Sequence, residues 1–186
     1  MTRSWAAAVC GLAVGLTPFA GAGHAQIAGS SRSPVDITAD QEEVLTAKCV
    51  AIWRGSAEAL QDTTRLRAEV ITVYAKAKSA SSGSGVTCGG TDRIEAEGHV
   101  FYVTPTQTAR ADRAVYTADS DLLVLTGDVI VVQGKDVTHG DRLVIHVSTK
   151  QAQMDSAVVG RGQPGRVRGV FYPNQPAQAP TPPAGG

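Results

Sequence analysis

The amino-acid sequence predicts an all-β protein of stacked antiparallel strands. Three observations carry that prediction: a unit of 29 residues recurs along the chain, apolar and polar side chains alternate within each unit, and no helical spacing appears after the first 25 residues.

Residues 1–25 read as an export signal. Arg3 supplies a cationic start, Trp5 to Phe19 an apolar run, and Gly23-His24-Ala25 a small-residue cleavage site. The run is shorter than the roughly 20 apolar residues that span a bilayer, and no later segment approaches that length. Cys10 lies inside the run behind Val9 rather than after a small residue, so it belongs to the discarded peptide and not to a lipid-anchoring site. The mature chain is expected to begin at Gln26, with a flexible segment over 26–33, one domain over 34–172 and a disordered Pro/Ala/Gly tail over 173–186. A single domain of that length can hold a real core. Setting Arg3 aside leaves 16 basic residues against 17 acidic. That balance argues against nucleic acid as a partner, because phosphate neutralisation leaves a strongly basic footprint.

Three stretches superimpose without gaps on a glycine: Gly55, Gly98 and Gly127. Fourteen positions after each stands an acidic residue, Glu69, Asp112 or Asp141, preceded by Ala or Gly; Asp40 precedes Gly55 by fifteen residues, as Asp112 precedes Gly127. Counted from each glycine, the even positions are Ala51, Trp53, Ala57 and Ala59 in the first unit, Ile94, Ala96, Val100 and Tyr102 in the second, and Leu123, Leu125, Val129 and Val131 in the third. All are apolar or aromatic. The odd positions include Arg54, Ser56, Glu58, Glu95, Glu97, His99, Thr126 and Asp128, with Phe101 and Ile130 as exceptions. Alternation of period two over about nine residues describes a strand with one dry and one wet face.

A second strand follows each acidic residue. Ile71, Val73 and Ala75 share one face, as do Ala114, Tyr116 and Ala118, and Leu143, Ile145 and Val147. Before the acidic residue Leu66 and Ala68 are apolar in the opposite phase, so a bulge or corner is expected at the Ala-acid step. Two strands cannot bury their own apolar face; stacked neighbours can. Carboxylates that recur once per unit suit corner chemistry, in which Asp bonds nearby backbone groups, better than catalysis, which needs no repetition. Glu69 to Asp112 spans 43 residues, fourteen beyond the unit, and the excess falls around Ser79-Ala80-Ser81-Ser82-Gly83-Ser84-Gly85, which reads as an inserted flexible loop. The mature cysteines are Cys49 and Cys88. An exported chain permits a disulfide between them, and the sequence leaves that pairing open; a zinc site is the weaker reading.

No H-E-x-x-H, G-x-S-x-G or phosphate-binding glycine loop is present, so neither an enzyme nor a cofactor is expected. His139 and His146 flank Asp141, but a bend between them turns them apart, and no metal is expected. Arg67, Arg110, Arg113, Arg142, Arg161, Arg166 and Arg168 suit a solvated strand face better than a row of phosphate contacts.

The opening Ile37-Thr38-Ala39-Asp40, the repeated glycine-strand-Ala-Asp units and the closing Gly165-Arg166-Val167-Arg168-Gly169-Val170-Phe171 together resemble the LptA/OstA family of periplasmic lipopolysaccharide-transport proteins, over residues 34–172. The resemblance implies an open, twisted β-jellyroll or solenoid with a hydrophobic groove for the acyl chains of lipid A. It also implies head-to-tail self-association into a bridge from the inner-membrane transporter component to the outer-membrane translocon. The lack of an uncleaved anchor or a barrel points to the soluble bridge member. On the alternating face, the groove is expected to be lined by Trp53, Ala57, Ala59, Ile71 and Val73, then Ile94, Val100, Tyr102 and Tyr116, then Leu123, Leu125, Val129, Val131, Leu143 and Ile145. Two readings compete with a carrier. A periplasmic β-solenoid scaffold would have a dry, tightly filled interior and no lipid, and a β-helix hydrolase would cluster carboxylates on one exposed face.

Overall fold

The computed structural model describes residues 33–79, 86–158, 160–161 and 163–173. The expected export signal, nearly all of the expected tail and the Ser/Gly run 80–85 lie outside the described residues. One antiparallel sheet contains β1 (Asp36–Thr38), β2 (Gln41–Leu45), β3 (Val50–Gln61), β4 (Thr64–Ser79), β5 (Val86–Val103), β6 (Thr108–Thr117), β7 (Leu122–Gln133), β8 (Asp136–His146), β9 (Gln151–Asp155) and β10 (Arg168–Val170). From β3 to β8, sequence neighbours are sheet neighbours, so local hairpins build it. β1 pairs with the second half of β3 and β2 with its first half, which makes one edge strand broken at Ala39-Asp40. β9 and β10 share β8 in the same manner and form the opposite edge. The sheet does not close on itself, in agreement with the open architecture that the resemblance implied.

Three of the long strands, β3, β5 and β7, are bent at a glycine. Gly55, Gly98 and Gly127 have φ of 83°, 80° and 82°, and the residues that follow, Ser56, His99 and Asp128, have φ of 46°, 46° and 43°. Two successive left-handed residues re-aim the chain, and glycine holds the first position because it has no Cβ to strain. Pairing slips there, between Arg54 and Ala57, Glu97 and Val100, and Thr126 and Val129. Buried positions step by four across the glycine, as from Ala96 to Val100, and by three across the acidic residue of the adjoining strand, as from Ala111 to Ala114. The phase break expected at the Ala-acid step is present. The extra residue of the bulge, however, belongs to the glycine strand and not to the acid-bearing strand, because the left-handed residues are Gly55, Gly98 and Gly127 and their successors.

The acidic side chain lies over the glycine of the strand beside it. A Cβ on Gly55 would collide with Asp40, one on Gly127 with Asp112, and one on Gly98 would stand 2.7 Å from Oε2 of Glu69. The fourth copy, Asp141, accepts the Ala157 N–H at 2.7 Å instead, beside the last edge strand. This row of corners divides the sheet into two arms. One holds β1, β10 and the strand halves that run to the turns at 62–63, 104–107 and 134–135; the other holds β2, β9 and the remaining halves. Their inward side chains form one apolar cluster.

Of the run expected as a loop only Ser79 is described, and the stretches that flank it form a paired ribbon. β4 and β5 continue to Ser79 opposite Val86, past the ends of β3 and β6, with register shifts around Ala75. A two-stranded ribbon is marginal by itself, and two contacts fasten its base: the Lys76–Asp119 ion pair and a Cys49–Cys88 disulfide with Cα atoms 5.4 Å apart. A cross-link over 39 residues restricts the unfolded chain by about 4 kcal/mol in the chain-entropy account.

Gly127→Ala is expected to lower stability in urea unfolding by about 2–4 kcal/mol, since it adds left-handed strain to the collision with Asp112. Gly89→Ala serves as the control. Its Cβ would first meet the mobile end of Lys78 at 3.0 Å, and it should cost under about 1 kcal/mol. Equal losses from both substitutions would show that the corner is not special.

Candidate functional site

Twelve of the groove residues expected from the alternation are buried in one cluster: Ala57, Ala59, Ile71, Ile94, Val100, Tyr102, Tyr116, Leu123, Leu125, Val129, Leu143 and Ile145. Trp53, Val73 and Val131 pack against it, half-buried. Leu66, Ala68, Ala96, Ala109, Ala111, Ala114 and Val147 are also inside. Their signal was the same alternation, for example Ala109 and Ala111 around Arg110. Val35, Ile37 and Ala39 at one edge and Met154 at the other extend the cluster to both outermost strands, so the apolar interior runs the length of the sheet.

Both walls of that interior mix small and large side chains. The arm with the 62–63 and 104–107 turns contributes Ala57, Ala59, Ala68, Ala109 and Ala111 together with Leu66, Val100, Tyr102 and Val129; the other contributes Ala96 and Ala114 together with Ile71, Ile94, Leu123, Leu125, Leu143 and Ile145. Large groups against small ones pack closely. Ile71, Val100, Leu125 and Val129 are 0 % exposed, so the interior is filled by the protein's own side chains.

On the side away from the corners, the arm ends face each other across a cleft of about 610 Å³ lined by residues of both arms. Beside it the Tyr116 hydroxyl donates to Asp121 Oδ1 at 3.2 Å. The Ser148 N–H donates to Asp121 Oδ2 at 2.8 Å, and the Val147 N–H donates to the Asp121 carbonyl at 3.1 Å. Burial pushes the Tyr116 hydroxyl up to about 12, and the charge and hydrogen bond of Asp121 add to it. Burial, then the Asp121 charge, raises Tyr102 as well, although Tyr102 belongs to the opposite arm. For Asp121 itself burial works upward, but the bonds from Ser148 and Tyr116 and the nearby His146 outweigh it and hold the carboxyl below its ordinary 3.8. The alternation could not reveal this cluster, because it joins turns from separate units.

The outer face is a lattice of ion pairs. Glu58 meets Arg65 and Arg67, Glu95 meets Arg93 and Arg113, and Arg142 meets Asp155. Asp128 accepts from His139 at 2.8 Å and Arg110 at 2.6 Å, and these two hold its carboxyl low. His99 pairs with Glu69 at 2.7 Å beside a corner. Such exposed pairs contribute little each, but they commit Arg67, Arg110, Arg113 and Arg142 to partners within the chain. Arg161, Arg166 and Arg168 make no ion pair among the described residues. Among those residues no group of three His, Cys, Asp or Glu side chains could hold a metal, and His139 turns to Asp128 rather than to Asp141.

Residues 36–151 match the family described as LptA/(LptD N-terminal domain) LPS transport protein. Over 130 residues the chain is 32% identical to uncharacterized protein R00383 of Rhizobium meliloti (strain 1021), covering 68% of this chain and 68% of that protein. The fold is similar to the crystal structure of LptH, the LptA homologous periplasmic component of the lipopolysaccharide transport device from Pseudomonas aeruginosa. That match has a TM-score of 0.59 at 19% identity, over 76% of this chain and 96% of LptH.

The Asp121 cluster gives a pH dependence. Because its folded carboxyl lies below the ordinary value, ionised Asp121 contributes stability that is present above about pH 3.8 and lost as pH falls through the folded value. Urea unfolding of the protein and of Asp121→Asn should therefore differ near neutral pH, begin to approach as pH falls past about 3.8 and converge only below the lowered folded value. A difference that persists unchanged into acid would contradict the assignment.

Proposed function

This chain belongs to the LptA/(LptD N-terminal domain) family of lipopolysaccharide transport proteins, and we propose that it binds lipopolysaccharide in the periplasm as one unit of a bridge from the inner to the outer membrane. One observation carries this reading: an apolar interior that extends from β1 at one edge to β9 at the other of a sheet that stays open. Each exposed CH₂ of an acyl chain costs about 0.8 kcal/mol in water. A strip that is apolar along its whole length removes that cost at every step, with no step deep enough to trap the lipid. Directional drive comes from the inner-membrane transporter component, and delivery is to the outer-membrane translocon.

The ends support assembly. The outer sides of β1/β2 and of β9/β10 offer backbone donors and acceptors to another strand, so copies can join head to tail by β-augmentation. Val170, Phe171 and Tyr172, at and just beyond β10, are exposed at 42%, 67% and 52% and would give such a joint an apolar contact. The row of carboxylates at Asp40, Glu69, Asp112 and Asp141 belongs to the strand corners, which speaks against a hydrolase.

The filled interior favours one competing reading, a scaffold without ligand. In the carrier reading the lipid enters by parting the arms. Photo-crosslinking separates the two. With a photoreactive residue in place of Trp53 or Tyr102 on the inner face and of His99 or Asp128 on the outer, lipopolysaccharide should crosslink at the inner positions only. Folded protein that crosslinks nowhere, or equally at both faces, would remove the carrier and leave the scaffold.

A further inference from the structure

The cleft between the arm ends has two unlike walls. The arm-end turns supply hydroxyls and amides from Thr63, Thr104, Gln107 and Gln133; the facing wall supplies Ile145 and Val147. Tyr102 lines the cleft and is also part of the buried cluster, so the cleft opens onto the apolar interior. Its polar wall is fixed in shape. The Thr104 N–H donates to the Gln107 carbonyl at 2.9 Å, and the Thr104 hydroxyl accepts the Gln107 N–H at 3.2 Å. The side-chain amides of Gln107 and Gln133 make no hydrogen bond within the described residues, which leaves donors and acceptors available.

Lys150 is the one cation among the lining residues. It stands in the turn after β8 with φ of 58°, and its ammonium has no ion pair among the described residues. The acidic lining residue, Asp62, already has a partner within the protein. The volume of about 610 Å³ falls in the range of small-molecule sites, roughly 300–1,000 Å³. A ligand matched to these walls has hydroxyls toward the threonines and glutamines, an anionic group toward Lys150 and an apolar portion that passes Tyr102.

We infer that this cleft recognises the phosphorylated sugar head of a glycolipid whose acyl chains enter the interior past Tyr102. The inference rests on the carrier reading above and adds a defined head site to it.

Nuclear magnetic resonance on the mature, oxidised chain tests it with three probes. Glucosamine 1-phosphate should shift the amides of Thr63, Thr104 to Gln107 and Lys150 and leave the corners at Gly55, Gly98 and Gly127 unmoved. Methyl dodecanoate, which carries no charge, should shift the methyls of Ile145 and Val147 and not the polar turns. Inorganic phosphate should act at Lys150 alone and more weakly. Phosphate shifts that equal those of the sugar phosphate would reduce the cleft to a plain anion site and overturn the inference. The double variant Lys150→Ala, Gln107→Ala should weaken lipid A binding about tenfold with methyl dodecanoate binding unchanged. Lipid A that binds both proteins equally would refute the head site while sparing the carrier; folded protein that binds neither lipid A nor methyl dodecanoate would refute the carrier reading itself.

Discussion

A carboxylate laid over a glycine of the adjoining strand, at Asp40 and Gly55, Glu69 and Gly98, and Asp112 and Gly127, is the contact on which the rest of this structure depends. Each such glycine has φ near 80°, and the next residue is left-handed as well. A flat antiparallel sheet of these strands would expose its apolar face to water on one side. Bending every strand at the same level folds that face upon itself, and the acid-glycine contact fixes the level. The register slips once at each corner and recovers, so inner positions stay paired with inner positions on both sides, Ala57 with Ala68 and Trp53 with Ile71.

From the bend follow two properties that a closed barrel cannot have. The edges remain open, because the corner repeats without returning the last strand to the first. The interior is bounded by two arms joined along one side only, so it has a hinge line and, opposite, a mouth. Asp121, Tyr116 and Ser148 make a polar cluster at that mouth. Small side chains set among large ones on both arms give an interior that is dense without a lipid. An extended apolar cargo needs all of these features and no catalytic group.

Much of this was legible in the sequence because two periods are superimposed in it. The alternation of two marked the inner face, and all fifteen residues read from it lie in or against the cluster. The repeat of 29 marked the corners. What the sequence concealed depends on register or on contacts between distant turns. The strand that carries the bulge residue is decided by backbone conformation at glycine, not by the apolar phase that betrayed the corner. The stretches that flank the run 80–85 carry no face to bury, so the alternation did not mark them, yet their backbone is paired from Ala75 with Thr91 to Ser79 with Val86. The Cys49–Cys88 bond depends on the two register shifts beside Ala75, which no spacing encodes. The mouth draws Tyr102, Asp121 and Ser148 from three different hairpins.

The central claim is that the two arms enclose the cargo and must separate to do so. Spin labels at Thr106→Cys and Thr149→Cys, exposed turn positions on opposite arm ends, report that separation by pulsed electron resonance with the native disulfide intact. Addition of lipid A should move the distance distribution to longer values, while a control pair within one arm stays fixed. A distribution unchanged at saturating lipid A would contradict the account, since a filled interior cannot take up acyl chains without opening.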